Sequence, residues 1–105
     1  MNVTTLPKNR AIVVVTDNNP VDAQRPTDGR YVNSIRCEIT HGCLKQEAFL
    51  PIDFMLSTEI IKSDGSRVIF NSEEQALQEL KGVKLRYHIG RSARGNFYRM
   101  FVLMA

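Results

Sequence analysis

The chain has no tryptophan, only two cysteines, and no acidic residue after position 80. Two cysteines, Cys37 and Cys43, are too few to staple a domain of 105 residues, so a packed core has to hold the fold and the thiols are expected reduced. No apolar run approaches the roughly 20 residues that a membrane-spanning helix needs, so no membrane partner is expected. The opening Met1 to Lys8 lacks the basic-then-apolar order of a secretory signal. Together these absences predict a soluble protein of the cytoplasm. Catalytic signatures are missing as well. There is no Walker loop, no GxSxG elbow and no nucleophile–base spacing, and the acids stand singly except for Glu73-Glu74. The expectation is therefore not an enzyme, with no cofactor. With no repeat and no Pro/Gly-rich linker, residues 1–105 read as a single domain.

What is present is ordinary in amount and uneven in placement. Apolar residues make up 43% and charged residues 24%, a balance that supports a core. Residues 1–80 carry eight Lys/Arg against eleven Asp/Glu, a net of −3. After them come Lys81, Lys84, Arg86, Arg91, Arg94 and Arg99 with no acid, a net of +6. A split of this kind points toward a polyanion. Its bland counterpart is a solvated basic edge that keeps a terminal hairpin from aggregating.

Ala11 to Val15 is a β-branched run, too short for a helix and long enough for a buried strand. Asp17 through Gly29 is rich in turn residues and predicts a long exposed loop over 17–30. Tyr31 to Thr40 alternates, with Ile35, Cys37 and Ile39 on one side and Arg36 and Glu38 on the other. A second strand runs from Cys43 to Leu50. With His41-Gly42 as the turn, Ile39 would face Leu44, Ile35 would face Ala48, Glu38 would face Lys45 and Arg36 would face Glu47. Residues 57–71 read as an extra hairpin turning at Asp64-Gly65, with Ile61 facing Val68. Ser72-Glu73-Glu74-Gln75 has the capping-box pattern, so one short helix is predicted over 73–81 and ended by Gly82. Val83 to Ile89 alternates into a turn at 90–95, and Asn96 to Met104 forms the last strand.

Strand, loop, strand, turn, strand, extra hairpin, helix, strand, basic turn, strand is the element order of a five-stranded OB barrel. The predicted class is mostly β, an OB-like barrel. The stretch Leu80-Lys81-Gly82-Val83-Lys84-Leu85-Arg86-Tyr87-His88-Ile89-Gly90 and then Gly95-Asn96-Phe97-Tyr98-Arg99 resembles the closing part of single-stranded DNA-binding proteins of the OB fold. In that family a helix ends in glycine, a strand leads to a basic loop, and glycine with polar and aromatic residues opens the last strand. The similarity covers about a quarter of the chain. Without tryptophan or an acidic tail among these residues, the resemblance implies the short phage- or plasmid-type binders.

Single strands are held by a positive groove along the phosphates and by rings on which bases stack. Lys84, Arg86, Arg91, Arg94 and Arg99 are the candidate phosphate contacts, and Tyr98 and Tyr31 the candidate stacking rings. Tyr87 belongs to the Val83-Leu85-Ile89 series and reads as core. Of Phe97/Phe101 and Tyr98/Met100, one face must be buried. The arginines of the turn are expected to pack against nothing. Cys37-x3-His41-x-Cys43 has zinc-type ligands, but Cys37 and Cys43 fall on opposite faces with no fourth ligand, so no metal is expected. The partner is then single-stranded DNA or RNA, with little sequence preference, and a homodimer is expected because a lone small barrel offers few contacts. The competing class is a protein-binding module, such as a small phage or plasmid inhibitor using the same basic hairpin.

Overall fold

The computed structural model describes residues 10–104; the Met1–Lys8 opening lies outside the described residues. Six strands and two short helices follow one another as β1 (Ile12–Gln24), β2 (Tyr31–His41), β3 (Leu44–Pro51), α1 (Ile52–Ser57), β4 (Glu59–Ile61), α2 (Glu73–Leu80), β5 (Lys84–Arg91) and β6 (Phe97–Leu103). They make one sheet in the order β3-β2-β1-β5-β6-β4, antiparallel throughout except where β4 runs parallel to β6. The protein is mostly β, as expected. The closed five-stranded barrel is not formed. Closure would require β3 to meet β6, but β4 takes that edge of β6 over Met100–Val102. The sheet therefore remains open.

One face of the sheet buries a single core. Val13 and Val15 of β1, Ile35, Cys37 and Ile39 of β2, and Leu50 of β3 meet Leu85, Tyr87 and Phe101 from the other half. Ile52 and Met55 of α1 and Leu77 and Leu80 of α2 close over the same core. Burial of an aliphatic side chain is worth roughly 1.5–3 kcal/mol, so the alternation read in the sequence sets which face turns inward. Tyr87 is core, as its series implied.

The expected long loop over 17–30 is a strand for most of its length. β1 continues to Gln24 paired with β2, and only residues 25–30 form the connection. The turn residues are accommodated as bulges, with register shifts between Val15 and Asp17 and between Asp17 and Val21. Asp17 accepts a hydrogen bond from the Asn19 N–H at 2.9 Å, and Pro20 sits inside the bulge, where no ladder N–H is required. Short-range turn chemistry thus kinks the strand without ending it.

The hairpin of β2 and β3 keeps its predicted faces but slides by one turn position. Gly42-Cys43 forms the two-residue turn, with Gly42 at φ +61°, the positive φ that a type II′ turn places first. Ile39 then faces Gln46, Ile35 faces Leu50 and Glu38 faces Glu47. The foreseen charge pairs form all the same, as diagonals: Arg36 Nε lies 3.4 Å from Glu47 and Lys45 Nζ 3.5 Å from Glu38. Diagonal neighbours on one face are within reach of such long side chains.

The 57–71 hairpin exists in part. Its turn is one residue longer than expected, so Ile61 faces Arg67 rather than Val68. Gly65 bonds back to Lys62, and Lys62 to Ser66. A second helix, α1, was not foreseen. Pro51 starts it, and Ile52 and Met55, three apart, share its buried face. The α2 helix spans Glu73–Leu80 within the predicted 73–81 and is capped by Ser72, whose Oγ accepts from the Gln75 N–H at 3.1 Å. Gln75 reaches back one residue further than a capping box requires, accepting from the Asn71 N–H at 2.8 Å.

Candidate nucleic-acid interface

The basic C-terminal segment forms the β5–β6 hairpin, whose tip extends past β1 and β4 among the described residues. Among the described residues β1 pairs β5 over Lys84–Arg86, with Ala11 and Arg10 bonding to Tyr87 just beyond, and β4 pairs β6 over Met100–Val102. Over residues 90–98, among the described residues, the hairpin is a two-stranded ribbon, and both of its faces extend beyond the core. The turn is shorter than the predicted 90–95: Gly90 and Arg91 belong to β5, opposite Tyr98 and Phe97. Ser92 and Asn96 close it, with the Ser92 N–H donating to the Asn96 carbonyl at 2.8 Å and Gly95 bonding back to Ser92. Gly95 takes φ +85°, which a three-residue loop of this kind needs at its last position.

The predicted site residues divide between the two faces of this ribbon. Lys84 and Arg86 project from the face away from the core, both exposed, together with Tyr98. Tyr98 is 40% exposed and lies across the backbone of Gly90. A Cβ at Gly90 would fall 2.2 Å from the ring's Cζ. Glycine at this position therefore makes room for the tyrosine, whose ring also approaches His88. Arg91 and Arg99 emerge on the other face, in line with Leu85 and Tyr87 but past the end of the core. Arg94 is exposed in the turn.

Arg91 does not stand free, contrary to expectation. Its guanidinium sits 4.6 Å from the centroid of the Phe97 ring. Arg99 sits 5.2 Å from the centroid of Phe54 on α1, and Phe54 packs against Tyr87 and Phe101. Such cation–π contacts contribute on the order of 0.5–1 kcal/mol at exposed sites. Arg99 therefore also covers the aromatic end of the core.

Phe97 is the residue that sequence reasoning missed. Of the faces Phe97/Phe101 and Tyr98/Met100 one is expected to be buried, but the first divides: Phe101 is fully buried, whereas Phe97 is 72% exposed. The strand outruns the core, so its face changes from interior to surface within one turn of alternation. Arg10 was also missed. Its N–H donates to the Tyr87 carbonyl at 2.6 Å, which brings a distant cation alongside β5.

Tyr31 is 66% exposed but belongs to the opposite end of the sheet. It pairs with Gln24, whereas the ribbon leaves from beyond the Ile12 end of β1. Nine residues of β2 separate those levels, about 30 Å at strand rise. The structure does not bring Tyr31 to the basic ribbon.

Cys37 is buried, and burial pushes its thiol up to about 12. Cys43 is exposed in the β2–β3 turn. Among the described residues no helix is long and apolar enough to cross a membrane.

No protein-family model matches the chain, and no curated protein or solved structure is significantly similar to it. Functional assignment therefore rests on the geometry.

The electrostatic contrast within the sheet is clear. Among the described residues the ion pairs are Arg25–Asp28, Arg36–Glu47, Lys45–Glu38 and Arg67–Glu59. None involves Lys84, Arg86, Arg91, Arg94 or Arg99. Among the described residues these five cations have no carboxylate partner, and the same hairpin exposes two rings, Phe97 and Tyr98.

Proposed function

We propose that this protein binds single-stranded nucleic acid, DNA or RNA, along the β5–β6 ribbon and with little sequence preference. One observation carries the reading. The cations of the β2–β3 hairpin are each matched by a carboxylate, whereas among the described residues the five from Lys84 to Arg99 have none, and two rings of the same hairpin, Phe97 and Tyr98, are exposed. Unmatched cations suit phosphates, which carry no base information, and open rings suit bases, each worth about 1–3 kcal/mol by stacking. Phe97 takes the place of Tyr31 as the second ring, on the face of the ribbon opposite to Tyr98. Arg91 over Phe97 leaves a guanidinium plane on which a base can also stack.

A helix between the third and fourth principal strands, with a loop joining the first two and a basic turn joining the last two, is an OB-like order in a sheet left open at one seam. It supports the resemblance to phage- or plasmid-type single-strand binders.

The deciding measurement is a salt titration of binding to a labelled oligo-dT. Log affinity should fall with log salt by about 0.7 for each phosphate contacted. Tight binding that ignores salt would overturn the phosphate reading. Absence of binding at low salt would favour an acidic protein surface as the partner of the ribbon.

A further inference from the structure

The sheet has two edges, and they differ. At β4 the chain covers its own edge in part, since the Val68 N–H donates to the Ile60 carbonyl at 2.8 Å and Arg67 bridges to Ile61. At β3 there is no such cover: among the described residues it pairs only with β2, and Leu44, Lys45, Gln46 and Glu47 are all exposed. Such an edge is a template for another strand.

The two-residue turn fixes which backbone groups are open. His41 and Leu44 flank it and exchange both hydrogen bonds, so Leu44, Gln46, Ala48 and Leu50 bond to β2. The N–H and C=O groups of Lys45, Glu47 and Phe49 therefore point away from the sheet. A second β3 running antiparallel must oppose residues of that outward set to each other. Three of the registers that satisfy this oppose charged residues to each other, whereas those centred on Ala48 or Phe49 form no charge pair. One opposes Lys45 to Lys45 and another Glu47 to Glu47, and like charges directly opposite are destabilising. The third centres the two-fold axis on Gln46 and opposes Lys45 to Glu47 of the second copy, twice.

We propose that the chain forms a two-fold dimer through this β3–β3 register. The dimer extends the existing charge ladder without a break, as Arg36, Glu47, Lys45 of the second copy and Glu38 of the second copy alternate in sign. Leu44, 74% exposed in the single chain, comes to lie opposite Ala48 of the second copy. Both copies use the same patch, so association closes at two chains. The last strand is not open to a second copy over Met100–Val102, where β6 lies between β5 and β4.

Sedimentation velocity on the full chain over a concentration series tests this. The parent should be a monomer–dimer system. Lys45→Glu and Glu47→Lys alone should each weaken dimerisation by at least about tenfold, because two attractive pairs become repulsive. An equimolar mixture of the two variants should regain dimers, since one then presents only acids and the other only bases. Glu47→Pro removes an outward N–H without touching a bond to β2 and should also abolish the dimer, with circular dichroism confirming its fold. A parent that stays monomeric, single reversals that leave the dissociation constant unchanged, or a mixture no tighter than its components would overturn the proposal.

Discussion

Two hairpins leave the same end of the sheet, β2–β3 and β5–β6, and they treat charge in opposite ways. On β2–β3 each cation has an acid one diagonal away, Arg36 with Glu47 and Lys45 with Glu38. On β5–β6 the cations have rings or solvent instead, Arg91 over Phe97 and Arg99 over Phe54. Exposed pairs of the first kind contribute about 0–1 kcal/mol and serve mainly to fix register and discourage wrong partners. An unneutralised row of the second kind adds nothing to stability through ion pairing and leaves a positive potential in solution. The same residue types are thus neutralised by acids in one hairpin and left unmatched in the other. The difference comes only from whether acids lie opposite.

The largest effect expected from this contrast is on binding. Replacing Arg91 and Arg94 together with alanine should cost about 3 kcal/mol of oligonucleotide affinity, at ~1.5 kcal/mol per charged contact. The salt slope should fall in step, equally for every sequence tested. Thermal unfolding should shift little, by about 0.5 kcal/mol plus the loss of one exposed cation–π contact. An unchanged affinity would remove the contrast between the hairpins. Phe97→Ala comes next, with about 2 kcal/mol lost from binding to oligo-dT and little from stability, because the ring lies outside the core. If stability falls and binding does not, the ring is structural.

Gly90→Ala should act on the fold, at about 1–2 kcal/mol in denaturant unfolding, since its Cβ would collide with the Tyr98 ring. In the double variant Gly90→Ala/Tyr98→Ala most of that cost should disappear. On β2–β3 a double-mutant cycle at Glu38 and Lys45 should return a coupling below about 1 kcal/mol. Zero coupling at both this pair and Arg36–Glu47 would refute the diagonal arrangement. The smallest effect is in acid. Asp28 accepts from the Arg25 guanidinium and from the Arg30 N–H, which hold its carboxyl down at about 2. A depressed carboxyl contributes stability above its unfolded range near 4, and that contribution fades as the pH falls toward 2. The stability difference between the parent and Asp28→Asn should shrink over that interval, and a carboxyl titration midpoint near 4 would show the contact to be absent.

Much of this arrangement was legible in the chain. Alternation told inward from outward residues on β2, β3 and β5, because burying the wrong face of a strand would cost every apolar residue on it. Ser72 announced α2 through a local hydrogen bond that needs no tertiary partner. The lack of acids after Glu79 announced an uncompensated basic hairpin. The faces of Arg91 and Phe97 were less legible. Alternation specifies sides but not where a core stops, so Phe97 read like its neighbour Phe101.

Near neighbours in the chain dictate the two-period faces, the helix cap, the glycine turns and the charge split. Tertiary structure decided the rest, because it depends on segments far apart in the chain. Asp17 to Pro20 bulges instead of ending β1 because β2 offers partners on both sides of the kink. The turn slips to Gly42-Cys43 because a glycine can take the positive φ at its first position, and the charge pairs tolerate a diagonal. Above all, the sheet stays open because Glu59–Ile61 reaches β6 and occupies the edge that β3 would need. A three-residue strand carries no periodicity strong enough to announce such a pairing.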